Sequence, residues 1–247
     1  MARKNSSVSA IGMLHSILIF IWTVATAIIY GMICLLVSLF SSGLARKIGR
    51  IWNIHLLAIA GIKVRVRGAE KLDPNKRYVF FANHQSALDI PVMYAGMNNA
   101  ISFIAKKELF FIPVFGWGMA AIGHIWIDRS NARKARSSII RAIKHLHKAS
   151  VSLVLFPEGT RSVDGTIGDF KTASFTLALQ AGVQAVPVVL HDTRLCLPKS
   201  AMMVRPGTVH VDIGDPIDID GATMSKNDLC MKIKNTICEI AAAGPQS

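Results

Sequence analysis

The pattern of hydrophobic and polar positions divides this chain into an apolar amino-terminal stretch and a longer region of alternating segments. Residues 5–45 contain no Lys, Arg, Asp or Glu. A secretory signal has an apolar core of only about 7–15 residues, so this stretch is too long to be one. A helix that spans a bilayer needs about 20 residues, so two short helices would fit within it.

Basic residues flank the apolar stretch, with Arg3 and Lys4 before it and Arg46, Lys47 and Arg50 after it. Because such residues prefer the cytoplasmic side of a membrane, both ends are expected on the same side. The pattern favours a hydrophobic helical hairpin that is buried in the bilayer or spans it and returns. One long tilted anchor helix is the alternative. Both place the protein on a membrane, at the cytoplasmic face of the inner or plasma membrane if the source is bacterial.

The rest of the chain alternates between helical and strand-like periods. Residues 46–62 mix basic and apolar positions at helical spacing, which is typical of a helix at the membrane interface. Residues 62–68 alternate apolar and basic side chains and predict a half-exposed strand. Further strand-like runs lie at 78–82, 100–105, 124–127, 152–156, 185–190 and 208–213. Helical patterns separate them at 87–97, 113–122, 131–149, 172–182 and 224–243.

Strands that alternate with helices predict an α/β fold, in which helices pack on a sheet. No linker long enough to split the region after the first strand-like run is visible. We therefore expect two units, which are membrane-associated helices over residues 1–62 and an α/β domain over residues 63–247.

The composition is consistent with a protein that works against an anionic surface. The chain has 247 residues, is 51% hydrophobic and 17% charged, and carries a formal charge of +13. This balance implies nucleic acid, an anionic bilayer or phosphorylated substrates as partners. The four cysteines have neither C-x-x-C nor metal-ligand spacing, so we expect reduced thiols and no metal site.

His84 and Asp89 form the most informative polar pair. Five residues in one helix would rotate two side chains about 140° apart, so a single helix would not bring them together. They meet if His84 ends a strand and Asp89 lies in the first turn of the next helix. The carboxylate then accepts a hydrogen bond from one imidazole nitrogen and leaves the other free to take a proton. Alone, the pair is also compatible with a structural role.

Three more polar clusters follow predicted strands, where open α/β sheets place ligand sites. They are Lys106 with Lys107 and Glu108, Asp128 with Arg129, and residues 156–162. Each is by itself compatible with a solvated surface or an ion pair. Their joint order favours a site, in which glycine lets backbone approach a ligand and basic side chains bind a phosphate.

These motifs resemble those of the lysophosphatidic acid acyltransferase (1-acylglycerol-3-phosphate O-acyltransferase) family. The resemblance covers roughly residues 50–215, and two of its four motifs match completely, Asn83-His84-Gln85-Ser86-Ala87-Leu88-Asp89 and Phe156-Pro157-Glu158-Gly159-Thr160-Arg161-Ser162. The second, weaker motif runs from Lys106 to Gly116 and from Gly123 to Arg129, and the fourth is Val186-Pro187-Val188.

The resemblance implies a mixed sheet flanked by helices, with an amino-terminal hydrophobic helix pair on one leaflet. It implies transfer of a fatty acyl group from acyl-CoA or acyl-carrier protein to the 2-hydroxyl of 1-acylglycerol 3-phosphate, which gives phosphatidic acid for phospholipid synthesis. By analogy His84 is the general base and Asp89 its partner. The glycerol phosphate would be framed by Lys106, Arg129, Glu158, Gly159, Thr160 and Arg161. No cofactor is expected.

Other functions remain open at this point. One is an acyltransferase that acts on another lysolipid or on glycerol 3-phosphate. Another is a hydrolase that uses Ser86 with His84 and Asp89, although no G-x-S-x-G motif is present. The basic helix expected from Arg129 to Lys148 could dock an acidic carrier protein; nucleic acid is not an expected partner.

Overall fold

The fold is a seven-stranded sheet with helices on both faces and a long apolar helix at the amino terminus. The computed structural model describes residues 10–127, 132–199, 201, 203–219 and 223–245. The helices are α1 (Ala10–Ser38), α2 (Ser42–Ile59), α3 (Asp89–Gly96), α4 (Lys107–Phe110), α5 (Phe115–Ala121), α6 (Ala132–Ala149), α7 (Ala173–Ala181), α8 (Thr193–Cys196) and α9 (Lys226–Ala243). The strands are β1 (Ile62–Arg67), β2 (Val79–Ala82), β3 (Ile101–Lys106), β4 (Ile125–Ile127), β5 (Ser152–Leu155), β6 (Ala185–His191) and β7 (Gly207–Ile213).

Helices α1 and α2 pack against each other as an antiparallel hairpin. The indole N–H of Trp52 in α2 donates to the hydroxyl of Thr26 in α1 at 3.2 Å, and the Cys34 thiol lies 3.6 Å from the carbonyl oxygen of Ala45. Within the described residues, α1 is long and apolar enough to cross a membrane by length and composition.

The hairpin forms from different residues than the sequence pattern favoured. Residues 10–38 make one continuous helix, because no turn-forming segment interrupts them. The turn comes at Ser41, whose hydroxyl accepts a hydrogen bond from the Leu44 N–H and caps α2. The returning arm is therefore the amphipathic helix α2, which buries Ala45, Gly49, Asn53 and Leu57.

The sheet is mixed, as predicted, and its strands run in the order β1-β7-β6-β2-β5-β3-β4. The β6–β7 pair is antiparallel, whereas the other neighbouring strands are parallel. The four strands β2, β5, β3 and β4 are adjacent and parallel, so their carboxyl ends lie at one edge of the sheet. This edge carries the polar residues that follow β2, β3 and β5.

Two hydrophobic cores hold the helices on the sheet. One face packs against α2 and α3, through residues such as Leu57, Val92 and Met93. The other face packs against α6, α7 and α9, through Leu146, Phe175 and Ile233 among others. The strands β2, β5 and β6 are buried throughout, which explains why each reads as an uninterrupted apolar run.

Candidate active site

His84 and Asp89 meet at the end of β2, as their spacing predicts. His84 lies in the loop after this strand, and Asp89 is the first residue of α3. The imidazole Nδ1 is 2.7 Å from the Asp89 Oδ2. Because Nδ1 faces the carboxylate, the Nδ1–H group donates a hydrogen bond to Asp89. Nε2 is then left as the basic nitrogen of the neutral ring.

The Asp89 carboxylate is fully buried, and its two oxygens differ in their hydrogen bonds. Its Oδ2 also accepts hydrogen bonds from the backbone N–H groups of Gln85 at 2.7 Å and Ser86 at 2.9 Å. Its Oδ1 has no hydrogen-bond partner among the described residues. A buried carboxylate in this state is positioned to stabilise an imidazolium that forms beside it.

The loop after β5 holds the backbone and the ring of His84. The Glu158 Oε1 accepts the His84 N–H at 2.8 Å, and the Ser162 N–H donates to the His84 carbonyl oxygen at 2.7 Å. The Phe156 ring stacks on the imidazole, with centroids 4.1 Å apart and planes 15° from parallel. The motif at residues 156–162 therefore holds His84 in place.

Glu158 faces the protein rather than a ligand. Its second oxygen, Oε2, accepts the Gly168 N–H at 3.2 Å, so both oxygens bond backbone. Burial raises the pKa of the Glu158 carboxyl, although the N–H groups of His84 and Gly168 act in the opposite direction. Unlike Gly159, Thr160 and Arg161, this residue is not among those that line the adjacent cavity.

His84 opens onto an amphipathic cavity of about 660 Å³, a volume typical of small-ligand sites. Its apolar lining residues include Ile90, Phe103, Leu109, Ile139, Leu155 and Leu177. Its basic lining residues are Lys106, Arg161, Lys171 and Lys199. The lining within the described residues contains no Asp or Glu, so the cavity favours an anion next to an apolar chain.

Lys171 and Lys199 are the two basic residues that the sequence motifs did not indicate. Lys199 donates to the Arg161 carbonyl oxygen at 2.6 Å and to the Thr160 hydroxyl at 3.2 Å. Lys171 follows the buried Phe170, and its N–H donates to the Pro157 carbonyl oxygen at 2.9 Å. Neither lysine follows a strand, so the strand-end argument had no signal for them.

Ser86 points away from the cavity and is fully buried. Its hydroxyl donates to the Leu197 carbonyl oxygen at 2.7 Å and accepts the Leu88 N–H at 3.1 Å. These bonds join the His84 loop to the segment that carries Lys199. Because the hydroxyl is committed to them, the geometry does not support Ser86 as a nucleophile activated by His84.

A second, smaller cavity of about 120 Å³ lies beside the first and shares four lining residues with it, Ile90, Phe103, Ala105 and Leu109. Most of the remaining wall comes from α1, α2 and α5, including Tyr30, Gly31, Trp52 and Phe115, and the rest from Ile122 and His124. The amino-terminal hairpin therefore contributes to the surroundings of the site.

Asp128 and Arg129 lie outside the described residues, so the structure gives no position for the predicted phosphate contact of Arg129. Lys106, at the end of β3, does line the cavity. Among the described residues, no group of three or more His, Cys, Asp or Glu side chains is arranged to hold a metal ion.

Comparison with known proteins shows the family to which this sequence is similar. A sequence model of the family described as Acyltransferase matches residues 63–191. A protein from Limnanthes douglasii named 1-acyl-sn-glycerol-3-phosphate acyltransferase is 35% identical over 186 residues, which are 75% of this chain and 65% of that protein. The protein of the same name from Pseudomonas aeruginosa is 33% identical over 171 residues, 69% of this chain and 65% of that protein. The chain thus spans slightly less than two thirds of these relatives.

The fold is also similar to a solved structure over nearly the whole chain. The crystal structure of the 1-acyl-sn-glycerophosphate (LPA) acyltransferase PlsC from Thermotoga maritima superimposes with a TM-score of 0.80. The two sequences are 26% identical, and the match covers 96% of this chain and 98% of that one.

Proposed function

Because the chain belongs to the acyltransferase family, we propose that it transfers a fatty acyl group from a thioester to the 2-hydroxyl of 1-acylglycerol 3-phosphate. The product is phosphatidic acid, an intermediate of phospholipid synthesis. The observation that carries this proposal is the His84–Asp89 pair at 2.7 Å, whose histidine lines a cavity with both basic and apolar lining residues. The names of the relatives support this acceptor.

In the proposed mechanism, His84 acts as the general base and Asp89 orients it. Nε2 removes the proton of the acceptor 2-hydroxyl as its oxygen attacks the thioester carbonyl carbon. The imidazolium is stabilised by the buried Asp89 carboxylate. When the tetrahedral intermediate collapses, the carbon–sulfur bond breaks and the thiolate takes the proton back from His84. The acceptor leaves as an ester, and the enzyme returns to its starting state.

The basic lining residues of the cavity form the proposed site of the acceptor phosphate. Arg161 presents a planar fork suited to two phosphate oxygens, and Lys106 adds a point charge. Lys171 and Lys199 line the same cavity, so we assign them to this site as well. Gly159 and Thr160 would contact the glycerol through the loop that they form.

The apolar lining residues of the cavity suit an acyl chain. These aliphatic and aromatic side chains line the same cavity as His84, and burial of hydrocarbon there would contribute to binding in proportion to the area removed from water. An amphipathic ligand with a phosphate at one end thus matches both kinds of lining residue.

We assign Glu158 a positioning role instead of a contact with the glycerol phosphate. A carboxylate next to a phosphate would repel it, and both of its oxygens already accept backbone N–H groups. Its removal would therefore lower turnover through His84, and not chiefly raise the KM of the acceptor.

The donor is either acyl-CoA or an acyl-carrier protein, and both are anionic. Helix α6 presents exposed basic side chains at Arg133, Lys134 and Arg136, while Ile139 on the same helix lines the catalytic cavity. A basic surface next to the site would attract either donor, and it would suit an acidic carrier protein in particular.

A competition assay with purified protein tests the substrate assignment. Lysophosphatidic acid, glycerol 3-phosphate and uncharged or zwitterionic lysolipids are offered together with acyl-CoA or acyl-carrier protein, and products are identified by mass. We expect phosphatidic acid to be the main product. Preferential acylation of another acceptor, or release of free fatty acid without acceptor, would overturn the assignment.

A further inference from the structure

The segment from Leu109 to Gly123, here called the α4–α5 segment, presents a large apolar surface to solvent. It contains no Lys, Arg, Asp or Glu. Phe111 is 77% exposed, Trp117 is 50% exposed and Ile112 is 46% exposed. Large neighbouring apolar side chains on a surface mark an interaction site rather than an ordinary solvated face.

This segment is packed tightly against the apolar helix α1. A Cβ atom on Gly118 would lie 2.9 Å from the Gly31 Cα atom, and one on Gly31 would lie 3.1 Å from Val114. The two backbones therefore approach closely through small residues. Helix α1 itself exposes Ile28 and Met32 near this contact, so the apolar surfaces of the two elements adjoin.

The backbone of the segment is held in an unusual conformation at the same contact. Val114 has a φ of 64°, a region that β-branched residues rarely adopt. The Phe115 N–H donates to the Pro113 carbonyl oxygen at 2.7 Å, which closes a tight turn. Such strain persists where the surroundings enforce it and is concentrated at functional segments.

The segment also borders the site. Leu109 lines both the catalytic cavity and the smaller apolar cavity, and Phe115 lines the smaller one together with Gly31. One side of the segment therefore faces the region of His84, while the other side is exposed and apolar.

We propose that the α4–α5 segment is a second membrane-inserting element, which enters an anionic leaflet beside α1 and seats the catalytic cavity on the bilayer. Lipid contacts the exposed face of the segment, because that face adjoins a helix with the composition of a membrane span. Lys106, Lys107 and Glu108 precede the segment, and their net positive charge lies at the level of anionic headgroups. Trp and Phe side chains are favoured in this interfacial zone.

A fluorescent probe measures this insertion without relying on transfer activity. Cys34, Cys196 and Cys230 are buried and Cys238 is exposed, so Cys238→Ser in the full chain leaves buried thiols only. Phe111→Cys is labelled in this background with an environment-sensitive dye. A matched control carries Met231→Cys on α9, where Met231 is 58% exposed.

With vesicles of phosphatidylcholine and phosphatidylglycerol, we expect the probe at position 111 to shift to the blue and to be quenched by lipids spin-labelled in their acyl chains. The probe at position 231 should stay in water. The proposal is overturned if the probe at position 111 stays accessible to iodide while the protein floats with the vesicles. A blue shift that depends on protein concentration in vesicle-free detergent would also overturn it, because a second copy would then cover the segment.

An activity comparison gives a second readout. Phe111→Ser combined with Trp117→Ser should lower transfer to an acceptor embedded in vesicles by about tenfold, a loss expected from removing two buried aromatic contacts with lipid. Transfer to a short-chain acceptor dissolved as monomers should match that of Met231→Ser. Equal losses on both acceptors would contradict the membrane role, and absence of all transfer in the unmodified protein would instead argue against the proposed function.

Discussion

The two oxygens of the Asp89 carboxylate are in different environments, and this asymmetry has a catalytic consequence. Oδ2 accepts three hydrogen bonds, from the His84 ring and from two backbone N–H groups. Oδ1 is buried and has no partner among the described residues. Protonation of His84 would place a positive charge beside a carboxylate that is shielded from water. The attraction between the two charges is strongest in such an environment.

Asp89→Asn tests this role of the carboxylate. An amide has no net charge and would orient the wrong imidazole tautomer, so we expect turnover to fall by about 10²–10⁴ with little change in the KM of the acceptor. Steady-state kinetics with lysophosphatidic acid checks this, and the circular dichroism spectrum shows whether the variant is folded. A variant that retained most of its turnover would show that the negative charge is not required.

Ser86→Ala separates transfer from hydrolysis. The Ser86 hydroxyl bonds the Leu197 carbonyl and the Leu88 N–H, so its loss should destabilise the loop by about 1 kcal/mol and leave transfer largely intact. Thermal unfolding and acyl-transfer rates check both parts. Complete loss of activity in a folded variant, or a covalent acyl-enzyme in the unmodified protein, would restore the hydrolase mechanism.

At the scale of elements, the sequence predicted the strands β2, β5 and β6 well because they are buried on both faces. The runs at 78–82, 152–156 and 185–190 became β2, β5 and β6 with ends shifted by one residue. Their apolar composition is a direct result of burial, so the hydrophobic pattern was sufficient to predict these strands. The short helices α4 and α8 were missed, because each has only one turn and no helical period to detect.

The candidate site was predictable only in part. The positions of His84, Asp89, Lys106 and Arg161 follow from strand ends, which parallel topology brings to one edge. The orientation of Glu158 does not, because a sequence shows a carboxylate but not whether backbone N–H groups already satisfy it. Lys171 and Lys199 enter the cavity through loops, whose paths depend on tertiary contacts such as the bond from Lys199 to the Arg161 carbonyl.

Helix α6 carries a prediction about the donor. Replacing Arg133, Lys134 and Arg136 by Glu reverses the charge of an exposed surface that does not contact His84. We expect the KM of an acyl-carrier-protein donor to rise by about tenfold, with a weaker dependence on salt than in the unmodified protein. The matched control reverses the exposed Lys63 and Arg65 of β1, at the opposite edge of the sheet. The same KM and the same salt dependence in the two variants would argue against carrier-protein docking on α6.

At the scale of the whole molecule, the hairpin and the sheet meet around the partly buried ring of His124, which lines the smaller cavity. His124 accepts the Phe103 N–H at its Nδ1, so its Nε2 carries the proton and faces the Tyr94 hydroxyl at 3.2 Å. Burial, assisted by the nearby His145, lowers the pKa of His124 to about 3. Protonation of His124 in acid would therefore affect the junction between the hairpin and the sheet.

This burial predicts a loss of stability in mild acid. Below about pH 6.5 the unfolded chain binds a proton at this histidine, whereas the folded protein does so only near pH 3. The free energy of unfolding should therefore fall by about 2 kcal/mol from pH 7 to pH 5 on account of this residue. Urea unfolding in detergent measures it. His124→Gln does not titrate and retains one acceptor and one donor group, so it should show a smaller decline. The same decline in both proteins would exclude His124 as the cause.

The central claim is that His84 is the base that activates a lipid hydroxyl, and the most direct measurement compares kcat/KM for His84→Ala with that of the unmodified enzyme. Phosphatidic acid formed from lysophosphatidic acid and an acyl thioester is quantified by mass, and vesicle flotation shows whether the variant still binds membranes. We expect normal flotation and a kcat/KM lower by about 10²–10⁴. A folded, membrane-bound His84→Ala protein that still makes phosphatidic acid at a rate near that of the unmodified enzyme would contradict the account.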